Sequence, residues 1–276
     1  TAPLLALRLA AFGLGIPIVF TFHGATPERE GAVAAMARRA ADLTISPSQA
    51  SLEALIAKGL PRVTTRQLGL GVAPLAVTDP AEVAALRQKL LGNEGQFLVV
   101  SLSRLSTQKG IDVMIEVAAR VARQRPDIVF AVAGGGAAPG EAEAWARAAG
   151  VERSMRFLGP VRTVAEHLRA SDMFLLTSRW ENLPISIVEA FRAGLPVVAT
   201  DCGGVRELVD DAVGALARVE DAEGIAAAVL ELAGDADLRA RKGAAALARS
   251  GEARFDPDAV HATFEAMYGE VLDGRG

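Results

Sequence analysis

Between Ser101 and Gly110 an arginine, Arg104, and a lysine, Lys109, stand five positions apart behind the apolar run Phe97–Leu102. Such a run reads as a buried strand, and open α/β sheets bind ligands beyond the carboxyl ends of their strands. Two cations there can bracket a diphosphate, the arginine as a planar fork and the lysine as a point charge. The pair also reads as two solvated loop charges, although Lys109 is one of only four lysines in the chain.

Two carboxylates form a second candidate. Glu181 and Glu189 follow the apolar run Met173–Leu176; Asn182 reads as the N-cap of a helix with Pro184 in its first turn, Glu181 just outside it and Glu189 about two turns inside. A helix start with its partial positive charge suits a phosphate, whereas a carboxylate beside a phosphate is repelled. The two acids therefore suit hydroxyl groups, a ribose and a sugar; the plainer alternative is an exposed acid and a helix-surface glutamate. Gly134-Gly135-Gly136, behind Ile128–Ala133, admits a ligand or makes a tight turn, and falls short of a full G-x-G-x-x-G. His23, at the end of Ile18–Phe22, can hydrogen-bond a substrate hydroxyl or serve structure alone. His167 and His261 lie in amphipathic stretches without an assigned role.

Composition narrows the class. Of 276 residues, 51% are hydrophobic and 22% charged, which excludes a disordered or collagen-like chain. A net charge of −4 argues against a nucleic-acid partner. The single cysteine, Cys202, makes no internal disulfide, so a reducing, cytoplasmic setting is expected. Three histidines and one cysteine, none clustered, make a protein-built zinc site improbable, and no acidic pair of the Asp-x-Asp kind is read as a Mg²⁺ holder. G-x-S-x-G and P-loop motifs are missing.

The elements behind these residues alternate. Short apolar runs at Ile18–Phe22, Leu43–Ile45, Val63–Leu70, Phe97–Leu102, Ile128–Ala133, Met155–Leu158, Met173–Leu176, Val197–Ala199 and Gly214–Ala217 are separated by alanine-rich amphipathic stretches. That alternation predicts parallel sheets covered on both faces. Thr26-Pro27-Glu28 and Ser46-Pro47-Ser48 each read as an N-cap ahead of a proline. The segment Gly69–Pro80 reads as a linker, so the expected division is a partial first domain over 1–75, a complete one over 76–255 and a last helix over 256–276. The apolar stretch Ala2–Phe22 approaches the ~20 residues of a membrane span, but Gly13, Gly15 and Pro17 cut it. A buried helix followed by a buried strand is expected there. A doubly covered sheet does not stop after two or three strands, so roughly 80–120 further residues are expected upstream.

In order and spacing, several of these motifs resemble the retaining glycosyltransferases of family 4. They are Ser103-Arg104-Leu105 with Lys109-Gly110, Ala133–Gly136, Phe157-Leu158-Gly159, Glu181 with Glu189-Ala190, Gly194–Thr200, and Gly203-Gly204 with Glu207. The resemblance covers about residues 15–272. It implies a GT-B architecture of two Rossmann-like doubly wound domains, the first incomplete here, with the last helix crossing back. It also implies roles: Arg104 and Lys109 on the donor diphosphate, backbone near Asn182 and Leu183 beside the phosphate, and backbone near Val161 by the base. Gly135 and Gly136 form the glycine loop, Glu181 contacts the donor sugar, Glu189 the ribose, and His23 the reacting centre. Gly71-Val72-Ala73 departs from the family's usual Asn-Gly-Val-Asp.

The reading is a metal-independent, cofactor-free transferase that moves a sugar from a nucleotide diphosphate sugar, with uridine as the base, to an acceptor hydroxyl with retention. Trp180–Glu189 is similar to segments of bacterial polysaccharide-assembly enzymes, so a carbohydrate or lipid-linked acceptor is expected, with at most peripheral contact with the inner face of the membrane. A nucleotide-sugar epimerase of the same fold and a non-catalytic nucleotide-sugar-binding subunit are the alternatives.

Overall fold

The computed structural model describes residues 2–92, 97–136 and 140–274. They begin with α1 (Ala2–Ala10), β1 (Val19–Thr21), α2 (Pro27–Ala40), β2 (Leu43–Ser46), α3 (Gln49–Ala57) and β3 (Thr65–Gln67). There follow α4 (Pro80–Leu91), β4 (Phe97–Leu102), α5 (Ile111–Ala122), β5 (Ile128–Ala133), α6 (Glu141–Ala148), β6 (Met155–Gly159) and α7 (Val164–Arg169). The remainder is β7 (Met173–Leu176), α8 (Ile185–Arg192), β8 (Val197–Thr200), β9 (Gly214–Ala217), α9 (Ala222–Gly234), α10 (Ala236–Arg249) and α11 (Pro257–Leu272). The chain forms two compact units: Thr1–Ala73 with Glu181–Leu183 and Glu252–Gly276, and Pro74–Trp180 with Pro184–Gly251.

The second unit is a six-stranded, wholly parallel sheet in the order β6-β5-β4-β7-β8-β9. Counted along this unit the order is 3-2-1-4-5-6, the doubly wound arrangement in which the chain reverses its direction of travel between β4 and β7. Strands β4, β5, β7 and β8 are buried almost throughout, because helices cover both faces. Val113, Val117 and Val121 of α5 meet Ile225 and Val229 of α9 over Val99, Phe130 and Leu175. The crevice of such a sheet opens where the loops after β4 and β7 part; these loops carry Arg104, Lys109 and Glu181, and Glu189 lies on α8, the helix that follows the second.

The first unit has three parallel strands in the order β1-β2-β3. On one side Phe22 packs with Val33, Ala34, Ala37 and Leu55. On the other, Leu43, Ile45 and Leu68 receive Val260, Phe264, Met267 and Val271 from α11. The segment leading into α11 is sewn to the linker: the Leu70 N–H donates to the Arg254 carbonyl at 2.8 Å and the Val72 N–H to that of Phe255 at 3.1 Å.

Three local expectations are corrected. The stretch Ala2–Phe22 is a helix and a strand, but not a buried pair. Leu4 is buried, whereas Leu5, Leu7, Leu9, Phe12, Leu14 and Ile16 are exposed and β1 is only half-buried. The cause is position: β1 is an edge strand with β2 alone beside it among the described residues. Among those residues no helix is long and apolar enough to cross a membrane. Ser46 ends β2 instead of capping a helix; Ser48 caps α3, accepting from the Ser51 N–H at 3.0 Å. The run Val63–Leu70 contains only the three-residue strand β3, preceded by a 3₁₀ turn at Arg62–Thr64.

Gly69 is required by the seam between linker and α11. A Cβ there would run into the Arg254 carbonyl oxygen and come within 2.8 Å of Val260 Cγ2. Gly69→Ala is expected to destabilise the protein by about 1–3 kcal/mol through overpacking. Denaturant titration reads it, and an unchanged midpoint would contradict the seam.

Candidate functional site

The loop after β4 has a fixed shape. Ser103 N–H donates to the Ala133 carbonyl at 3.0 Å and Leu105 N–H to that of Gly135 at 2.8 Å, so it runs alongside the glycine segment after β5. A Cβ on Gly134 would strike the Ser103 carbonyl, and one on Gly136 the Leu105 carbonyl. These glycines therefore admit neighbouring backbone. That is a different account of Gly134–Gly136 from a ligand cradle, and Gly135 instead faces the Pro160 ring, where a Cβ would lie 3.3 Å from Cγ. Val161, the next residue, is half-buried in the turn before α7.

Beyond this seam Thr107–Lys109 makes one 3₁₀ turn, closed by Gly110 at φ 61°. Gly110 opens α5 and its Cα lies against the Thr177 carbonyl, so a side chain fits neither the backbone nor the space. Thr177 Oγ1 reaches the carbonyls of Lys109 and Gly110, each at 3.0 Å. Arg104 is exposed and its Nη2 lies 3.3 Å from Gln108 Oε1, while Lys109 is half-buried. Buried in the same loop, Ser106 Oγ has no hydrogen-bond partner among the described residues.

A residue the sequence reading left without a role ties this loop down. Arg179 donates from Nη1 and Nη2 to both oxygens of Asp112 at 2.9 and 2.7 Å, and from Nε to Glu220 at 2.7 Å. Its Nη1 also reaches the Thr107 carbonyl at 2.8 Å, and its backbone N–H the Gln108 carbonyl at 2.7 Å. Gln108 returns a bond from Nε2 to the Trp180 carbonyl at 3.1 Å. The Arg179 hydrogen bond holds the Asp112 carboxyl below the usual carboxylate range, and the charge adds to it against desolvation. The sequence signal for this arrangement was slight: an arginine directly before Trp180-Glu181, with its acidic partners about 40 and 70 positions away.

Helix α8 starts later than the sequence suggests. Its N-cap is Pro184, with no side-chain cap, and Glu189 lies about one turn in rather than two. Asn182 does not cap it. Its Nδ2 donates to the Phe22 carbonyl at 2.9 Å and its Oδ1 accepts from Ser46 Oγ at 3.2 Å, so it is drawn to the ends of the first unit's strands. Buried Asn182 and Leu183, with half-buried Glu181, belong to that unit. His23 is exposed beside them: a Cβ on the next residue, Gly24, would lie 3.2 Å from Asn182 Cβ. The first unit thus brings together His23, Glu181, Asn182 and Leu183, and the second carries Arg104, Lys109, Gly135, Gly136, Val161 and Glu189.

Other polar groups resolve as structure. His167 is buried and its Nδ1 donates to the Thr163 carbonyl at 2.8 Å; exposed His261 lies 3.3 Å from Glu265. Two Asp-x-Asp pairs are present after all, Asp235 with Asp237 and Asp256 with Asp258. The first aspartate of each is a helix cap, Asp235 accepting from Leu238 and Asp256 from Ala259, both at 2.8 Å.

A doubly wound unit with a braced, cation-bearing loop at its switch point is a nucleotide-binding class of fold. The family described as Glycosyl transferases group 1 matches residues 82–249, and the chain belongs to it. Its fold is α/β of the GT-B class. It is 33% identical over 162 residues to the D-inositol 3-phosphate glycosyltransferase of Geodermatophilus obscurus, covering 54% of this chain and 36% of that protein. It is 30% identical over 171 residues to the GDP-mannose-dependent alpha-mannosyltransferase of Mycobacterium tuberculosis, covering 62% and 42%. The match thus spans well under half of these curated relatives. Anabaena Alr3699/HepE, solved with UDP and glucose, is 26% identical with a TM-score of 0.86 over 97% of this chain and 75% of that one.

Glu189 generates a prediction of its own. Burial pushes its carboxyl above the usual range, with Arg192 opposing, so the folded state favours the neutral form more than the unfolded chain does. The stability this preference gives is present at low pH and is lost as pH rises through the raised value. Glu189→Gln should therefore raise Tm near neutral pH, and the gain should shrink toward about pH 4, the ordinary glutamate range. Melting curves across that window check it, and a pH-independent difference would contradict it.

Proposed function

We propose that this chain serves a retaining glycosyltransferase that takes a sugar from a nucleotide diphosphate sugar, with uridine as the base, and delivers it to an acceptor hydroxyl. The observation that carries this reading is the loop after β4. It presents Arg104 and Lys109 at the switch point of a doubly wound sheet and is fixed from two sides by hydrogen bonds. The likeness to an Anabaena protein solved with UDP-glucose supports the choice of donor.

In this reading Arg104 and Lys109 hold the diphosphate, and with the start of α8 and the backbone of Asn182 and Leu183 they stabilise the charge that develops as it leaves. Backbone at Val161 meets the base, and Glu189 accepts from the ribose. Glu181 accepts from hydroxyls of the transferred sugar, and His23 hydrogen-bonds at the reacting centre. Gly136 acts indirectly, by letting the loop after β4 pack closely, and Gly135 by making room for the Pro160 ring. The acceptor hydroxyl attacks the anomeric carbon on the face from which the diphosphate departs; a diphosphate oxygen takes the hydroxyl proton as the new C–O bond forms. Fixed cations do the work that a divalent metal would otherwise do. Bacterial polysaccharide assembly in the cytoplasm fits the Trp180–Glu189 segment, and the net charge of −4 offers no general attraction to nucleic acid.

Calorimetric titration with UDP and UDP-glucose tests the division of roles. Lys109→Ala should weaken both about 10- to 100-fold, the worth of a charge-assisted hydrogen bond lost in a cleft. Glu189→Ala should also weaken both. Glu181→Ala should leave UDP nearly unchanged while slowing sugar transfer, because its contact is to the part that moves. Affinities should be the same in the presence of a chelator. Equal loss of UDP binding in Glu181→Ala and Lys109→Ala would contradict the assignment, and affinity restored only by Mg²⁺ would contradict the metal-free site.

A further inference from the structure

We infer that Arg179 is the positioning residue of the diphosphate site: bound on both sides by carboxylates, it holds the loop that carries Arg104 and Lys109 without touching the ligand. The inference rests on the diphosphate reading of that loop.

Its donors are already committed. Of the five N–H groups of a guanidinium, Nε serves Glu220, Nη1 serves Asp112 and Thr107, and Nη2 serves Asp112. One donor is left over, and two carboxylates cancel its charge, so Arg179 is poorly suited to be a phosphate ligand itself. What it holds is specific. The carbonyls of Thr107 and Gln108, successive residues directly before Lys109, are fixed by its side chain and its backbone N–H respectively. The side chain of Gln108 then meets Arg104 at one end and the Trp180 carbonyl at the other. Both cations are therefore connected to Arg179 within two hydrogen bonds. A lysine has no planar fork with which to span Asp112, Glu220 and the Thr107 carbonyl at once.

Glu220 supplies independent support. It is the one non-glycine residue with positive φ among those described, at 63°, in the turn between β9 and α9. Glycine would adopt that backbone without strain. The strained position is occupied by a side chain whose carboxylate meets Arg179 at 2.7 Å, which is the return on keeping a glutamate there.

The test is UDP titration and melting of Lys109→Ala, Arg179→Met, the double variant, and Glu220→Gly as a second variant should Arg179→Met fold poorly. Arg179→Met should weaken UDP about tenfold, the cost of ordering two loose cation side chains on binding. In the Lys109→Ala background the same change should cost much less, since one of the positioned cations is already gone. Glu220→Gly should melt no lower than the parent yet bind UDP more weakly. UDP affinity within twofold of the parent in Arg179→Met or in Glu220→Gly, or losses that simply add in the double variant, would overturn the positioning role while leaving the diphosphate reading intact. A Lys109→Ala variant that binds UDP normally would overturn that reading, and this inference with it.

Discussion

The candidate site depends on close backbone approach. The loop after β4 lies between the segment after β5 and the segment after β7, near enough that Gly134, Gly136 and Gly110 have no room for a Cβ. Two charged side chains on a free loop would pay for their ordering with each ligand bound; on a loop clamped from both sides much of that cost is met during folding. Parallel strands β4, β5 and β7 are hydrogen-bonded neighbours in the sheet, so the loops leaving their carboxyl ends emerge side by side. The topology thereby supplies the clamp.

The same logic explains which polar groups stay structural. Arg179 is surrounded by Asp112, Glu220 and backbone carbonyls, so its charge acts on the protein's own loop. Asn182 spends its amide on Phe22 and Ser46. Glu189 differs, because burial raises its pKa while Arg192 only partly offsets this.

Much of this was legible in the sequence. The strands Phe97–Leu102, Ile128–Ala133, Met173–Leu176 and Gly214–Ala217 are found where their apolar runs placed them, because a doubly covered parallel sheet leaves few other homes for such runs. Less legible were residues whose behaviour depends on partners far along the chain. Ser46 and Asn182 both look like helix caps locally, yet they bond to each other across 136 positions. Arg179 finds Asp112 across 67 positions, a pairing that no local pattern encodes. The exposure of α1 is not legible in its sequence, because apolar content alone does not say whether anything lies above it.

The central claim is that the diphosphate of a nucleotide sugar sits on the loop between β4 and α5. A crystal structure of the protein with UDP tests it most directly. The account predicts diphosphate oxygens about 2.7–2.9 Å from Lys109 Nζ and from the Arg104 guanidinium, with the Arg179–Asp112 pair unchanged from the unliganded protein. Diphosphate bound elsewhere with this loop untouched, or Arg179 released from Asp112 to bind phosphate itself, would contradict it.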